Sequence, residues 1–571
     1  MTTRDVLRED YEQFRLLQRG SVRRFLNSIT GLPDADPVPF VIWTTALALT
    51  PPLLTAIRSA FRLSMTGDAT PEVIVGFVRT FRVFFLVYAM LMTLLVTSLI
   101  WQALLPNRED QDVVGVLPVR PAVLAASRLT AGATVMLSLA LALAVPVALL
   151  FGAASAAQPG LGSLPRILFA HVATTICASS AVFFSLVTIR AATAAAGGER
   201  LADRLASLLQ FLAILVFVET FVFLPGILFD LLRAVRTGAD VPLWYALPMW
   251  FGALYGWLAE GGARTRDIDA ALLATVVPTA LGVTVSLLPA RAIARRVQET
   301  LASHRASMLT SIIRRLVVAG CGSTSVRGMA IFAAATITRS RRHAVILASY
   351  AGLAFAMAAI ELLTSGFTDH FSIAAPRRDN LAVPLVCLFF AIFGLRAALT
   401  RSADPAANWP FRIASPAVRD SRQAAWLIVV LCGITPILVG TLLTATAIWP
   451  LAVALRVLAL DVAAAFLLAE LALARWTGVP CASVRTVATE AVKSTWPLQV
   501  LGLYLFAFRG ADLEMLALAH ADGVTYAVAS TAVLILVLRT RHVITSAHLE
   551  STLEESADDT PLLLRLSAGD A

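Results

Sequence analysis

The sequence predicts an all-α polytopic membrane protein, with about 12 transmembrane helices built as two fused six-helix halves. Three observations carry that reading. The 571 residues are 58% hydrophobic and 15% charged, with mean hydropathy +0.78, whereas a soluble domain is about a quarter charged. Apolar runs of about 20 residues, enough to cross a bilayer, recur along nearly the whole chain. The runs and loops also repeat. A shift of 298 residues, the distance from Pro118 to Pro416, lays the second run on the eighth and the third on the ninth. It also lays the loop Leu105–Arg128 on Ala403–Gln423. Identity between the copies is slight, so the repeat is one of hydropathy and loop position, with both halves in the same orientation.

Residues 1–32 are charged and amphipathic: Tyr11, Phe14, Leu17 and Val22 recur among Arg15, Arg19, Arg23 and Arg24. This is the pattern of a helix lying on the inner membrane face, and not that of a cleavable leader. The first half, 33–290, holds the runs Pro39–Ile57, Phe84–Leu104, Thr130–Phe151, Ile167–Ile189, Leu208–Phe229 and Ala271–Pro289. Between its last two runs lies Ala239–Ile268, with Trp244, Tyr245, Trp250, Tyr255 and Trp257. Tryptophan and tyrosine favour the membrane interface, and Pro248 with nearby glycines interrupts a full span, so an interfacial or re-entrant helix pair is expected.

The linker 291–342 carries an amphipathic run, Leu301–Leu316, and a second membrane-entry helix before Arg339. The second half, 343–540, holds Ala344–Leu363, Leu381–Leu399, Ala424–Ile448, Leu451–Trp476, Trp496–Phe508 and Tyr526–Leu538. The segment 541–571 is an acidic tail containing Glu550, Glu554, Glu555, Asp558 and Asp559.

Loop charge orients the chain. Arg190–Arg204 and Arg291–Arg342 are rich in arginine, whereas Gly152–Arg166 and the turn near Trp449 are not. Positive charge collects in cytoplasmic loops, so both termini are expected inside. One loop runs against this: Arg58, Arg62, Arg79 and Arg82 fall outside. The same rule accounts for the net charge of +9 and the pI near 9.8. No basic stripe is interleaved with aromatics, which excludes nucleic acid as a partner and leaves membrane lipid.

The chemistry-bearing motifs are sparse. Cys177, Cys321, Cys387, Cys432 and Cys481 are scattered, with no CxxC or Cys/His cluster for zinc or a disulfide framework. The single lysine, Lys493, has no glycine before it, so there is no Walker A loop. HExxH and GxSxG are absent, and no catalytic, cofactor-binding or metal-binding residue is expected. Charges inside spans are costly and point to function. Glu219, Glu361 and Asp461 lie deepest, with Arg396 and Glu470 nearer helix ends. Interhelical pairing, for example Asp461 with Arg456 or Arg396, competes with proton coupling. His171 reads as a packed or capped residue.

The stretch Leu105–Leu129 differs from its surroundings. It opens with an acidic turn (Asn107, Arg108, Glu109, Asp110, Asp112), takes an apolar step through Val113–Leu117, and bends at Pro118-Val119-Arg120-Pro121. Proline does not continue a helix interior and biases its predecessor away from α. A short surface helix, a corner and the entry of the next span are expected. This stretch resembles the corresponding loop of the type-2 ABC exporter permeases, and Asn408-Trp409-Pro410-Phe411-Arg412 resembles a sequence in double-length bacterial members.

The resemblance implies a permease subunit in the bacterial inner membrane, with no enzyme activity of its own. ATP and Mg would belong to a separate P-loop ABC ATPase. It also implies that Glu109, Asp110, Asp112, Leu117, Pro118 and Arg120, and in the second copy Trp409, Phe411 and Pro416, form the contacts with that ATPase. Six-span members work as dimers, whereas here both halves lie in one chain, and the second loop lacks the acidic turn. Two other readings stand beside it: a proton-coupled secondary transporter using Glu219, Glu361 and Asp461, and a membrane-embedded enzyme acting on lipid or glycan.

Overall fold

The computed structural model describes residues 11–22, 25, 49–61, 63, 71–101, 103–105, 119–158, 160–237, 246–288, 308–320, 322–367, 376–402, 409–414, 416–482 and 498–546. Among them every regular element is a helix. The chain divides into two compact units, Met1–Ser303 and His304–Ala571.

The first unit contains α1 (11–22), α2 (49–61), α3 (Pro71–Ile100) and α4 (Pro121–Ala156). It continues with α5 (Leu164–Thr237), α6 (Ala246–Glu260) and α7 (Arg266–Leu287). Helix α4 starts where the proline corner predicts. Arg120 is extended at φ −68° and ψ 131°, and Pro121 occupies the first helical position, where its missing N–H costs nothing. Just past the internal Pro146, which removes a backbone donor, α4 widens into a π-helical turn at Ala148–Gly152. Phe85 of α3 meets Phe151 of this turn edge-on, with ring centroids 5.3 Å apart, and fastens α3 to α4.

Two sequence expectations fail in this unit. The arginine-rich loop Arg190–Arg204 is helical, and α5 runs unbroken for 74 residues. Its only prolines, Pro165 and Pro225, lie outside that stretch, and Ala194–Ala196 are strong helix formers. Gly197 and Gly198 each cost about 1 kcal/mol relative to alanine, too little to end the ladder. Of the segment Ala239–Ile268, expected to be a helix pair interrupted at Pro248, residues 239–245 lie outside the described residues and the rest holds α6. Pro248 does not break α6. It sits in the first turn, where a proline fits.

The second unit contains α8 (Met308–Gly320), α9 (Thr324–Arg339), α10 (Arg341–Phe367) and α11 (Arg378–Leu399). Then come α12 (Trp409–Ala414), α13 (Val418–Ile448, with a π-helical turn at Val430–Ile434) and α14 (Leu451–Ala472). Residues 498–503, a π-helical turn at Tyr504–Arg509 and α15 (Gly510–Ala519) form one further helix, and α16 (Gly523–Ser546) is the last. Helix α8 is amphipathic as expected: Ile313 and Val317 are buried, and Arg314 and Arg315 face out. Helices α10 and α11 approach closely at Gly394, where an added Cβ would lie 2.8 Å from the Tyr350 Cβ. Gly394→Ala is therefore expected to destabilise the unit by about 1–3 kcal/mol through overpacking. Thermal unfolding in detergent checks this, and an unchanged midpoint would contradict the close approach.

The eleventh run, expected to end at Phe508, passes through Arg509 into α15. Arg509 pairs with Asp512 one turn on, 3.3 Å away, so its charge does not terminate the helix. Nine helices among the described residues are long and apolar enough to cross a membrane. The chain is thus a helical multi-pass membrane protein. Three expected spans are not among the nine. The first and the fifth lie partly outside the described residues, and the helix that continues the eleventh carries Arg509, Asp512 and Glu514.

Candidate functional site

The residues expected to contact an ATPase fall at two corners. Of the first, Glu109, Asp110, Asp112, Leu117 and Pro118 lie outside the described residues, and Arg120 is exposed at the start of α4. The second corner is described more fully. Trp409 opens α12, and the Phe411 ring packs edge-on against Phe332 of α9, centroids 4.9 Å apart. Pro416 is buried, Ala417 is extended, and α13 begins at Val418. A short helix, a proline corner and a span entry thus follow one another here, the order the sequence predicts for Leu105–Leu129, whose residues 106–118 lie outside the described ones.

The start of α13 is fastened to two other helices. Ser421 Oγ donates to the Gly478 carbonyl, and Trp476 Nε1 donates to Ser421 Oγ at 3.4 Å. Arg422 Nε donates to the Leu473 carbonyl at 3.1 Å, and its Nη2 reaches Glu470 Oε2 at 2.5 Å. The other Glu470 oxygen accepts from Arg539 Nε at 2.6 Å. Arg539 also lies 4.9 Å over the Trp426 ring, which stacks on Phe466 at 5.7 Å. An Arg–Glu–Arg lock thus joins α13, α14 and α16 around a carboxylate whose side chain is 1% exposed. Both arginine partners are invisible to sequence spacing, lying 48 and 69 residues from Glu470.

The intramembrane charges separate. Asp461, in the middle of α14, is fully buried, and neither carboxylate oxygen has a hydrogen-bond partner. The expected pairing with Arg456 or Arg396 is absent; Arg456, five residues earlier on the outer side of α14, is exposed. Helix α14 packs against α15, which carries a second buried carboxyl, Glu514. Glu514 is 6% exposed and its Oε2 has no partner; it lies beyond Phe508, where the apolar run in the sequence ends. Glu219, on α5, also has two oxygens without hydrogen-bond partners. Glu361 and Arg396 are half-buried on α10 and α11, and each is engaged with neighbours.

The first unit has its own buried charge. Arg82 of α3 is 2% exposed and pairs with Glu260, the last residue of α6, at 2.5 Å. The Arg82 guanidinium lies 4.5 Å above the Tyr255 ring, and exposed Arg79 reaches the second Glu260 oxygen at 3.1 Å. His171 is packed edge-on between Tyr255 and Phe85, centroids 5.7 and 6.0 Å away. Among the described residues no group of three His, Cys, Asp or Glu side chains is placed to hold a metal ion. No family model, curated protein or solved structure matches the chain.

Proposed function

We propose that this chain is the membrane permease subunit of an ATP-driven ABC exporter, powered by a separate P-loop ATPase that carries ATP and Mg. The observation that carries the reading is the stretch Asn107–Pro121, an acidic turn leading into a proline corner between two spans. The second corner supports it. Helix α3 ends at Ile100 and α11 at Leu399, and α4 begins at Pro121 and α13 at Val418, so each pair lies within one residue of the 298-residue repeat. Two corners at equivalent places in the two units fit a permease with both halves in one chain.

In this reading, closure of the ATPase pushes on Glu109–Pro121 and Asp404–Pro416. Rigid helices carry the displacement into the spans. In the second unit the push enters α13, and the Arg422–Glu470–Arg539 lock passes it to α14 and α16.

A detergent pull-down of the tagged chain from its native membrane is expected to bring down a stoichiometric P-loop ATPase. Replacing both Leu117 and Pro118 by alanine is expected to abolish coupled transport while membrane insertion is retained. Normal transport by that variant would sink the coupling role. The oxygens of Glu219 and Asp461 that lack hydrogen-bond partners favour a second reading, a proton-coupled secondary transporter. Transport that survives ATP depletion and collapses with a proton uncoupler would select it.

A further inference from the structure

We infer that Asp461 and Glu514 form a proton-binding pair, two carboxyl groups on facing helices of the second unit that hold one proton between them. The inference depends on neither reading of the driving force. It starts from satisfaction of buried polar atoms. Both Asp461 oxygens and Glu514 Oε2 are buried without a hydrogen-bond partner. Asp461 is wholly buried and Glu514 nearly so. Buried carboxylates are normally paired or hydrogen-bonded, and two like charges at one site cannot both be ionised. A single shared proton resolves both problems. It removes one charge, and it supplies the donor that the other carboxylate lacks.

Among the described residues no cation hydrogen-bonds these oxygens. Helix α14 itself carries Arg456, which is exposed, and Glu470, which is held by Arg422 and Arg539. Helix α11 brings Arg378, Asp379, Cys387 and Arg396. Arg378 pairs with Asp512 at 2.9 Å, and none of the others hydrogen-bonds the unpartnered oxygens. The 435–448 portion of α13 has no charged residue. Before α15, Tyr504 and Arg509 stack on each other, and Arg509 also holds Asp512. Helix α16 brings Tyr526, Arg539, Arg541 and His542, none of them bonded to these oxygens.

Geometry explains why Glu514 faces inward. A π-helical turn places an extra residue in the helix, which turns the following face by about 100°. The turn at Tyr504–Arg509 stands directly before α15. Beyond it Asp512 is half-buried and pairs with Arg378, and Glu514 is buried. Any movement that parts α14 from α15 separates the carboxyls and removes the shared position. Proton release or uptake is then linked to that movement.

The test uses infrared spectra of the full chain in lipid nanodiscs, recorded across pH in H₂O and in D₂O. The expected result is a protonated-carboxyl C=O band that shifts in D₂O and is lost in the double variant Asp461→Asn/Glu514→Gln. Each single variant is expected to move the titration of the remaining carboxyl by about one pH unit or more. A band unchanged in the double variant overturns the inference. So does a band that added Na⁺ removes at constant pH, which would mark a cation site. Should the amide variants fail to assemble, Glu514→Asp keeps both carboxyls and is expected to shift the band without removing it; a band unmoved by that change also overturns the inference.

Discussion

Glu470→Leu is expected to destabilise the second unit by about 3–5 kcal/mol, because removing one member of a buried ion pair leaves the other without compensation. The two arms of the lock are unequal. Arg422 is 12% exposed and sits 2.5 Å from Glu470, whereas Arg539 is 47% exposed. Water can solvate Arg539 once its partner is gone, so that arm contributes at most about 1 kcal/mol. Arg422 has no such recourse, and its remaining bond, to the Leu473 carbonyl, does not neutralise it. Thermal unfolding of the purified chain should therefore rank Glu470→Leu and Arg422→Ala as severe and Arg539→Ala as mild. Replacing the lock by Arg422→Met with Glu470→Leu should recover most of the loss, since apolar groups of similar volume often match a buried pair. That rescue separates stability from transmission. If the lock passes displacement from α13 to α14 and α16, the rescued double variant folds but transports poorly. Equal losses for Arg422→Ala and Arg539→Ala would contradict the unequal arms.

Hydropathy located the membrane helices because burial in lipid demands long apolar runs, and nine described helices satisfy that demand. It was less informative about where the backbone ladder breaks. Arg190, Arg200 and Arg204 mark a stretch unsuited to the bilayer interior, yet with no proline among them α5 continues through. Pro248 reads as a breaker in sequence because hydropathy does not mark the helix start; two residues in, it is harmless. Arg509 concealed Glu514 in the same way. A charge looks like the end of a span until a partner one turn away, here Asp512, neutralises it.

The proline corners were legible as loop positions, since Pro121 and Pro416 both precede or open a span. Their purpose entered only through the family resemblance. Neither the Arg–Glu–Arg lock nor the burial of Glu514 on a helix packed against α14 is legible in the sequence. Each depends on the relative rotation of helices, which is set by packing, and no periodicity within one helix encodes it.

Glu260→Gln is expected to cost the first unit about 3 kcal/mol, and the reason lies in where Glu260 stands. A carboxylate in the last turn of a helix faces the negative end of the helix dipole, an unfavourable place unless a cation offsets it. Arg82 is that cation. It is 2% exposed, its Nε and Nη2 have no hydrogen-bond partner, and Glu260 and the Tyr255 face are what compensate its charge. Arg79 reaches the same carboxylate but is 64% exposed, so Arg79→Ala should cost under about 1 kcal/mol. A double-mutant cycle between positions 82 and 260 is expected to show coupling, and one between 79 and 260 almost none. The pair also bears on orientation. Arg79 and Arg82 fall in the one arginine-bearing stretch that opposes the expected placement of the termini inside; the sequence reads it as a loop, the structure makes both residues part of α3, and Glu260 offsets one of their charges. Single cysteines at Arg79 and Arg264, both exposed, should then react with a membrane-impermeant maleimide added to intact cells. Labelling of both only after permeabilisation would place the Glu260 face inside and reverse the orientation.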